Sequence, residues 1–89
     1  MPSKQEHQKK LIVRLRRIEG QIRGIQVMIG KDSSCESIAQ QLAAARKALD
    51  RAFFEMMACS VEAELSAAKN PAAIAKASAH LAQLLAKYG

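Results

Sequence analysis

The chain has no tryptophan, one tyrosine and two phenylalanines in 89 residues. An aromatic core is excluded, so burial must rest on Leu, Ile, Met and above all Ala. Alanine lets helices approach closely, but each one removes little apolar surface from water. The two cysteines, Cys35 and Cys59, are too few for a disulfide framework and suit reduced thiols in the cytoplasm. No apolar run approaches the roughly 18 residues of a membrane span, and the N-terminus is too basic and polar for a signal peptide. A membrane partner is therefore not expected. The chain has no Cys-x-x-Cys pair, phosphate-binding glycine loop or nucleophile–base set, and Glu62 and Glu64, two apart on a helix, face different ways. An enzyme is not expected. One domain, 1–89, with a small core of its own calls for help from oligomerisation.

Charge is concentrated at one end. Residues 1–31 carry eight Lys and Arg against Glu6 and Glu19, which is the whole formal net charge of +6; residues 32–89 balance. Such a block points to a polyanion, nucleic acid first and an anionic membrane surface second. On a helix, Lys10, Arg14 and Arg17 share one face at i, i+4, i+7, a solvated one by expectation, while Arg16 and Arg23 lie to the side. Arg46, Lys47 and Arg51 add positive charge further on. Multiplied by symmetry, these residues would make an extended phosphate-binding surface rather than a single recognition helix.

The periodicity predicts an all-α chain of three helices, short, long and short. The first opens with a Ser3/Glu6 capping box and repeats Leu11, Leu15, Ile18, Ile22, Ile25 and Ile29, with Gly30 as its left-handed stop. Gly20 and Gly24 inside it weaken the helix by up to roughly 1 kcal/mol each relative to Ala. They would let a neighbour pack closely. The second helix opens with a Ser33/Glu36 capping box and runs without Gly or Pro to about Ala68. The third starts at Asn70-Pro71, shows Ile74, Ala77, Leu81, Leu84 and Tyr88 in register, and ends at Gly89.

Both cysteines fall on one apolar stripe of the long helix: Cys35, Ile38, Leu42, Ala45, Leu49, Ala52, Met56, Cys59. At roughly 1.5 Å per residue the two thiols stand about 36 Å apart in one chain. An antiparallel second copy crossing near Lys47 would bring Cys35 close to Cys59 of the partner subunit. Cys35 also falls in the first helical turn, where unpaired N–H groups and the macrodipole favour a thiolate. That makes it a nucleophile or soft-metal ligand rather than a packing residue. Cys59, inside the helix, suits core packing equally well. His7 and His80 have no cysteine at zinc-site spacing and are expected at the surface or an interface.

The run Arg14-Leu-Arg-Arg-Ile-Glu-Gly-Gln-Ile-Arg-Gly-Ile, Cys35 just inside the second helix, and Gln40-Gln41-Leu-Ala-Ala-Ala-Arg46-Lys-Ala-Leu together resemble the CsoR/RcnR/FrmR family. These are small all-helical bacterial repressors of transcription. The resemblance covers nearly the whole chain. It implies an antiparallel helical dimer assembled into a flat tetramer, operator DNA held by basic residues of the first two helices, and release of the DNA by an effector bound between protomers. Arg14, Arg17 and Arg46 match the DNA-contact positions, with Lys10 and Arg16 beside them, and Cys35 matches the effector cysteine.

The other effector positions depart from the metal-sensing pattern. Copper sensors of the family have His where this chain has Ser60 and Cys where it has Glu64, both on the other protomer; nickel–cobalt sensors have His at both, and a further His where this chain has Ser3. Persulfide sensors space their two cysteines differently from Cys35 and Cys59. Formaldehyde sensors use an N-terminal proline amine with the cysteine, and Pro2 and Cys35 are both present, although a His usually stands at the place of Ser60. The Pro2 amine exists only once Met1 is removed.

The expected function is therefore an effector-responsive repressor, a homodimer or homotetramer released from operator DNA when Cys35 meets its small effector. Formaldehyde is favoured, with Cu(I), another transition metal or reactive sulfur at Cys35 and the partner's Cys59 as the alternative. No cofactor is required. A helical interaction module that does not bind DNA is the competing class, and the localised charge weighs against it.

Overall fold

The computed structural model describes residues 4–89, which form three helices: α1 (Lys4–Gly30), α2 (Cys35–Ala67) and α3 (Pro71–Tyr88). Among the described residues there is no strand, and no helix is long and apolar enough to cross a membrane. The predicted Ser3 cap and the Pro2 amine lie outside the described residues. The chain divides into two compact units, Met1–Met56 and Met57–Gly89.

In the first unit α1 and the N-terminal part of α2 are joined by only four residues and pack as a helical hairpin. The turn corrects two expectations. The Ser33 N–H donates to the Met28 carbonyl at 2.9 Å and the Asp32 N–H to the Ile29 carbonyl at 3.1 Å. That is a Schellman ending, and its left-handed residue is Asp32 at φ 59, not Gly30. Ser33 closes α1 through its N–H, and the cap of α2 is the next residue, Ser34. Ser34 Oγ accepts from the Ser37 N–H at 3.1 Å, so Cys35 becomes the first helical residue of α2.

The apolar stripes resolve into two registers. On α2, Ala45 and Ala52 are buried and Ile38 half-buried, while Leu42, Leu49 and Met56, offset from them by four residues, are about half exposed. On α1, Ile18 and Ile25 are buried and Leu11 half-buried, while Ile22 and Ile29 stand open. One register therefore fills the hairpin seam and the other remains uncovered. The four buried apolar residues of the described chain are two Ile and two Ala, and no side chain is fully enclosed. A buried Ile contributes about 1.5–3 kcal/mol and an Ala much less, so this seam leaves most of the available apolar surface unused. Gly20 and Gly24 are exposed, and a Cβ placed on either would meet nothing within 4 Å. Any close approach they permit is not made within the described chain.

The second unit opens α3 as expected. Asn70, in an extended conformation, accepts the Ala73 N–H on its side-chain oxygen at 2.8 Å, Pro71 follows at the first helical position, and the Gly89 N–H closes on the Leu85 carbonyl.

Candidate functional site

Cys35 is exposed, at the start of α2, in the uncovered register with Leu42, Leu49 and Met56. Cys59 is half-buried. It continues the register of Ile38, Ala45 and Ala52, so the two cysteines belong to different edges of the stripe. The single stripe read from the sequence therefore carries its two thiols on different edges. Ser60 and Glu64 are both half-buried. They lie in the second unit and Cys35 in the first.

Glu64 has a partner that the sequence did not reveal. Its Oε1 and the His80 Nδ1 of α3 are hydrogen-bonded. The pair lines a cleft of about 350 Å³ together with Lys76 and four alanines. His80 is exposed, as the sequence reading expected, and is paired with Glu64. Among the described residues, no three His, Cys, Asp or Glu side chains converge where a metal ion could be held.

His7, expected at the surface or an interface, is buried, and its Nδ1 lies 2.8 Å from Glu55 Oε1. That hydrogen bond, foremost, holds the Glu55 carboxyl below its ordinary range; burial opposes it, and the nearby charges of His7, Lys10 and Arg14 lower it further. The N-terminal basic segment is therefore tied to α2 through a carboxylate.

The basic residues separate into two kinds. Lys10, Arg16, Arg17 and Arg46 are exposed, as phosphate-binding side chains need to be. Arg14 is not on a solvated face: it is half-buried beside Glu55, and its Nε is enclosed with no hydrogen-bond partner. Its stem belongs to the hairpin seam, which the i, i+4, i+7 spacing with Lys10 and Arg17 concealed. Arg23 lies 3.8 Å from Glu19, both exposed, a contact of little energetic consequence.

With this geometry in hand, residues 7–87 match the family model described as metal-sensitive transcriptional repressor. The fold is similar to a solved structure, the formaldehyde-responsive regulator FrmR E64H variant from Salmonella enterica serovar Typhimurium. The TM-score is 0.75 at 29% identity, covering 94% of this chain and 96% of that one.

Proposed function

This chain belongs to the metal-sensitive transcriptional repressors, and on that premise we propose that it represses transcription from operator DNA and is released by an effector acting at Cys35. The family is one of regulators rather than enzymes. The observation that carries the proposal is the placement of Cys35. An exposed thiol at the first position of α2 heads the open register of Leu42, Leu49 and Met56. A second, antiparallel copy covering that register would enclose the thiol at a protomer interface. Pairs of such dimers would build the flat tetramer, with Lys10, Arg16, Arg17 and Arg46, and the outer part of Arg14, turned toward DNA.

Formaldehyde is the favoured effector. The Cys35 sulfur adds to the aldehyde carbon, the C–S bond forms and the carbonyl oxygen takes the thiol proton. The Pro2 amine nitrogen then displaces that hydroxyl as water, leaving an S–CH2–N bridge. The similarity to a formaldehyde-responsive regulator supports this reading. So does the chemistry of positions 60 and 64, where a hydroxyl and a carboxylate suit Cu(I) poorly. The alternative, Cu(I), another metal or reactive sulfur held by Cys35 with Cys59 of the partner subunit, requires the half-buried Cys59 to be reached.

Fluorescence anisotropy with a labelled promoter fragment tests the proposal. Salt-dependent binding that formaldehyde abolishes in the wild type, but not in Cys35→Ala, supports it. Binding insensitive to salt, or release that persists in Cys35→Ala, contradicts it.

A further inference from the structure

On α1, His7 and Arg14 stand one turn either side of Leu11, and the charges of both act on Glu55 of α2. His7 holds Glu55 Oε1 at 2.8 Å, with the two side chains 8% and 24% exposed. An ionised carboxylate only accepts, so the His7 Nδ1–H is the donor. The Arg14 Nε, enclosed in the same seam, has no hydrogen-bond partner. An enclosed N–H without an acceptor is costly. A guanidinium beside a carboxylate ordinarily closes on it through two parallel N–H···O bonds. Here Nε makes no such bond, and the group that holds the carboxylate is His7.

We propose that His7 is a positioning residue for DNA binding: by occupying Glu55 it keeps that carboxylate from closing on Arg14, and so leaves the Arg14 charge to a phosphate. The role rests on the reading of Arg14 as a DNA contact given above. A carboxylate seated on Nε and its neighbouring amino group would neutralise the guanidinium and take N–H groups that a phosphate needs. The unpaired Nε is then the cost of keeping Arg14 available, and the buried imidazole is what maintains it. Lys10 also acts on Glu55 but is exposed, so its ammonium stays open to phosphate either way.

Fluorescence anisotropy with the labelled promoter fragment, over a salt series and on the intact oligomer, tests the role. His7→Leu fills the seam without a donor and should weaken binding by about tenfold or more. The slope of log affinity against log salt should fall by roughly one per protomer. Adding Glu55→Gln to His7→Leu should restore both, because an amide carries no charge to set against Arg14. In the wild-type background Glu55→Gln should change affinity far less. A purely structural role for His7 would give no such rescue, and an equal gain in both backgrounds would reduce Glu55 to a general repulsion of DNA. Either result would overturn the proposal. His7→Asn, whose amide nitrogen replaces Nδ1 as donor, should keep most of the affinity; a loss there as large as in His7→Leu would also overturn it. Circular dichroism and sedimentation check that each variant folds and assembles. Wild-type protein that does not bind the fragment would overturn the repressor reading and this role with it. Wild-type binding with affinity and slope unchanged in His7→Leu would overturn this role alone.

Discussion

His7 and Glu55, 48 residues apart in sequence, are joined by a 2.8 Å contact that fastens the start of α1 to the middle of α2. The same carboxylate is near Lys10 and Arg14. The helix that carries most of the net positive charge is thus positioned by a bond to the helix that carries Cys35.

Glu55 makes stability depend on pH in a defined direction. Its folded pKa lies below the ordinary value, so its contribution is complete above the usual carboxylate range and is lost as pH falls through the depressed folded value. Glu55→Gln should lower the denaturant midpoint at neutral pH. The difference from wild type should shrink below about pH 4.5, the ordinary value for this carboxyl. Midpoints measured at fixed protein concentration from neutral pH down to about pH 3 check this. A difference that does not vary with pH would remove Glu55's charge from the account.

The Schellman turn offers a second test. Asp32 holds φ at 59, where a non-glycine residue carries strain of roughly 1 kcal/mol. Asp32→Gly should therefore leave stability unchanged or raise it by a few tenths to about 1 kcal/mol, after the added freedom of the unfolded chain is set against the relief. Thermal unfolding checks this. A marked loss would mean that the Asp32 side chain matters more than its backbone.

The helices and the Asn70-Pro71 boundary were legible because spacing and capping chemistry are local. What the sequence hid was every decision made by neighbours. The Ser33/Glu36 spacing marked Ser33 as the cap, whereas in the fold the Ser33 N–H closes α1 and Ser34 Oγ accepts the Ser37 N–H. One apolar stripe on α2 serves two registers, and which edge α1 covers is a matter of packing. His7 and Arg14 sit in the seam register with Leu11 and Ile18, but an apolar pattern does not count polar residues. The spacing His7, Leu11, Arg14, Ile18 was the available signal. The Glu64–His80 contact joins residues on different helices, and no spacing rule reaches across that distance.

Assembly follows from the uncovered register. Leu42, Leu49 and Met56 are 52%, 46% and 56% exposed, an apolar edge that water does not favour. Sedimentation should show a dimer or tetramer at micromolar concentration. Leu42→Asp with Leu49→Asp should shift it to smaller species of lower thermal stability. A folded wild-type monomer at that concentration would remove the interface and any site that depends on it.

For DNA, exposure divides the arginines into two classes. Arg17→Ala and Arg46→Ala should each weaken operator binding without changing the unfolding midpoint, because both are exposed. The slope of log affinity against log salt should fall by roughly one per lost phosphate contact per protomer. Arg14→Ala should lower affinity and unfolding midpoint together, because its enclosed Nε marks a side chain that packs in the seam. Salt-series anisotropy and circular dichroism on the same samples separate the two classes. Unchanged affinity in the triple variant would contradict the assigned surface.

The switch is the sharpest test of the two cysteines. Cys35 stands exposed on the open edge and Cys59 half-buried on the other. Under the aldehyde chemistry, Cys35→Ala should keep operator binding and lose all response, while Cys59→Ala should respond like the wild type. Under the alternative, in which the partner's Cys59 shares the effector with Cys35, either replacement should silence the protein. Mass spectrometry after exposure to formaldehyde distinguishes the products: a methylene bridge linking Pro2 to Cys35, one carbon heavier than the untreated chain, supports the aldehyde route. Stoichiometric Cu(I) binding that disappears in both cysteine variants would overturn it, because the soft sulfur pair would then be the sensor.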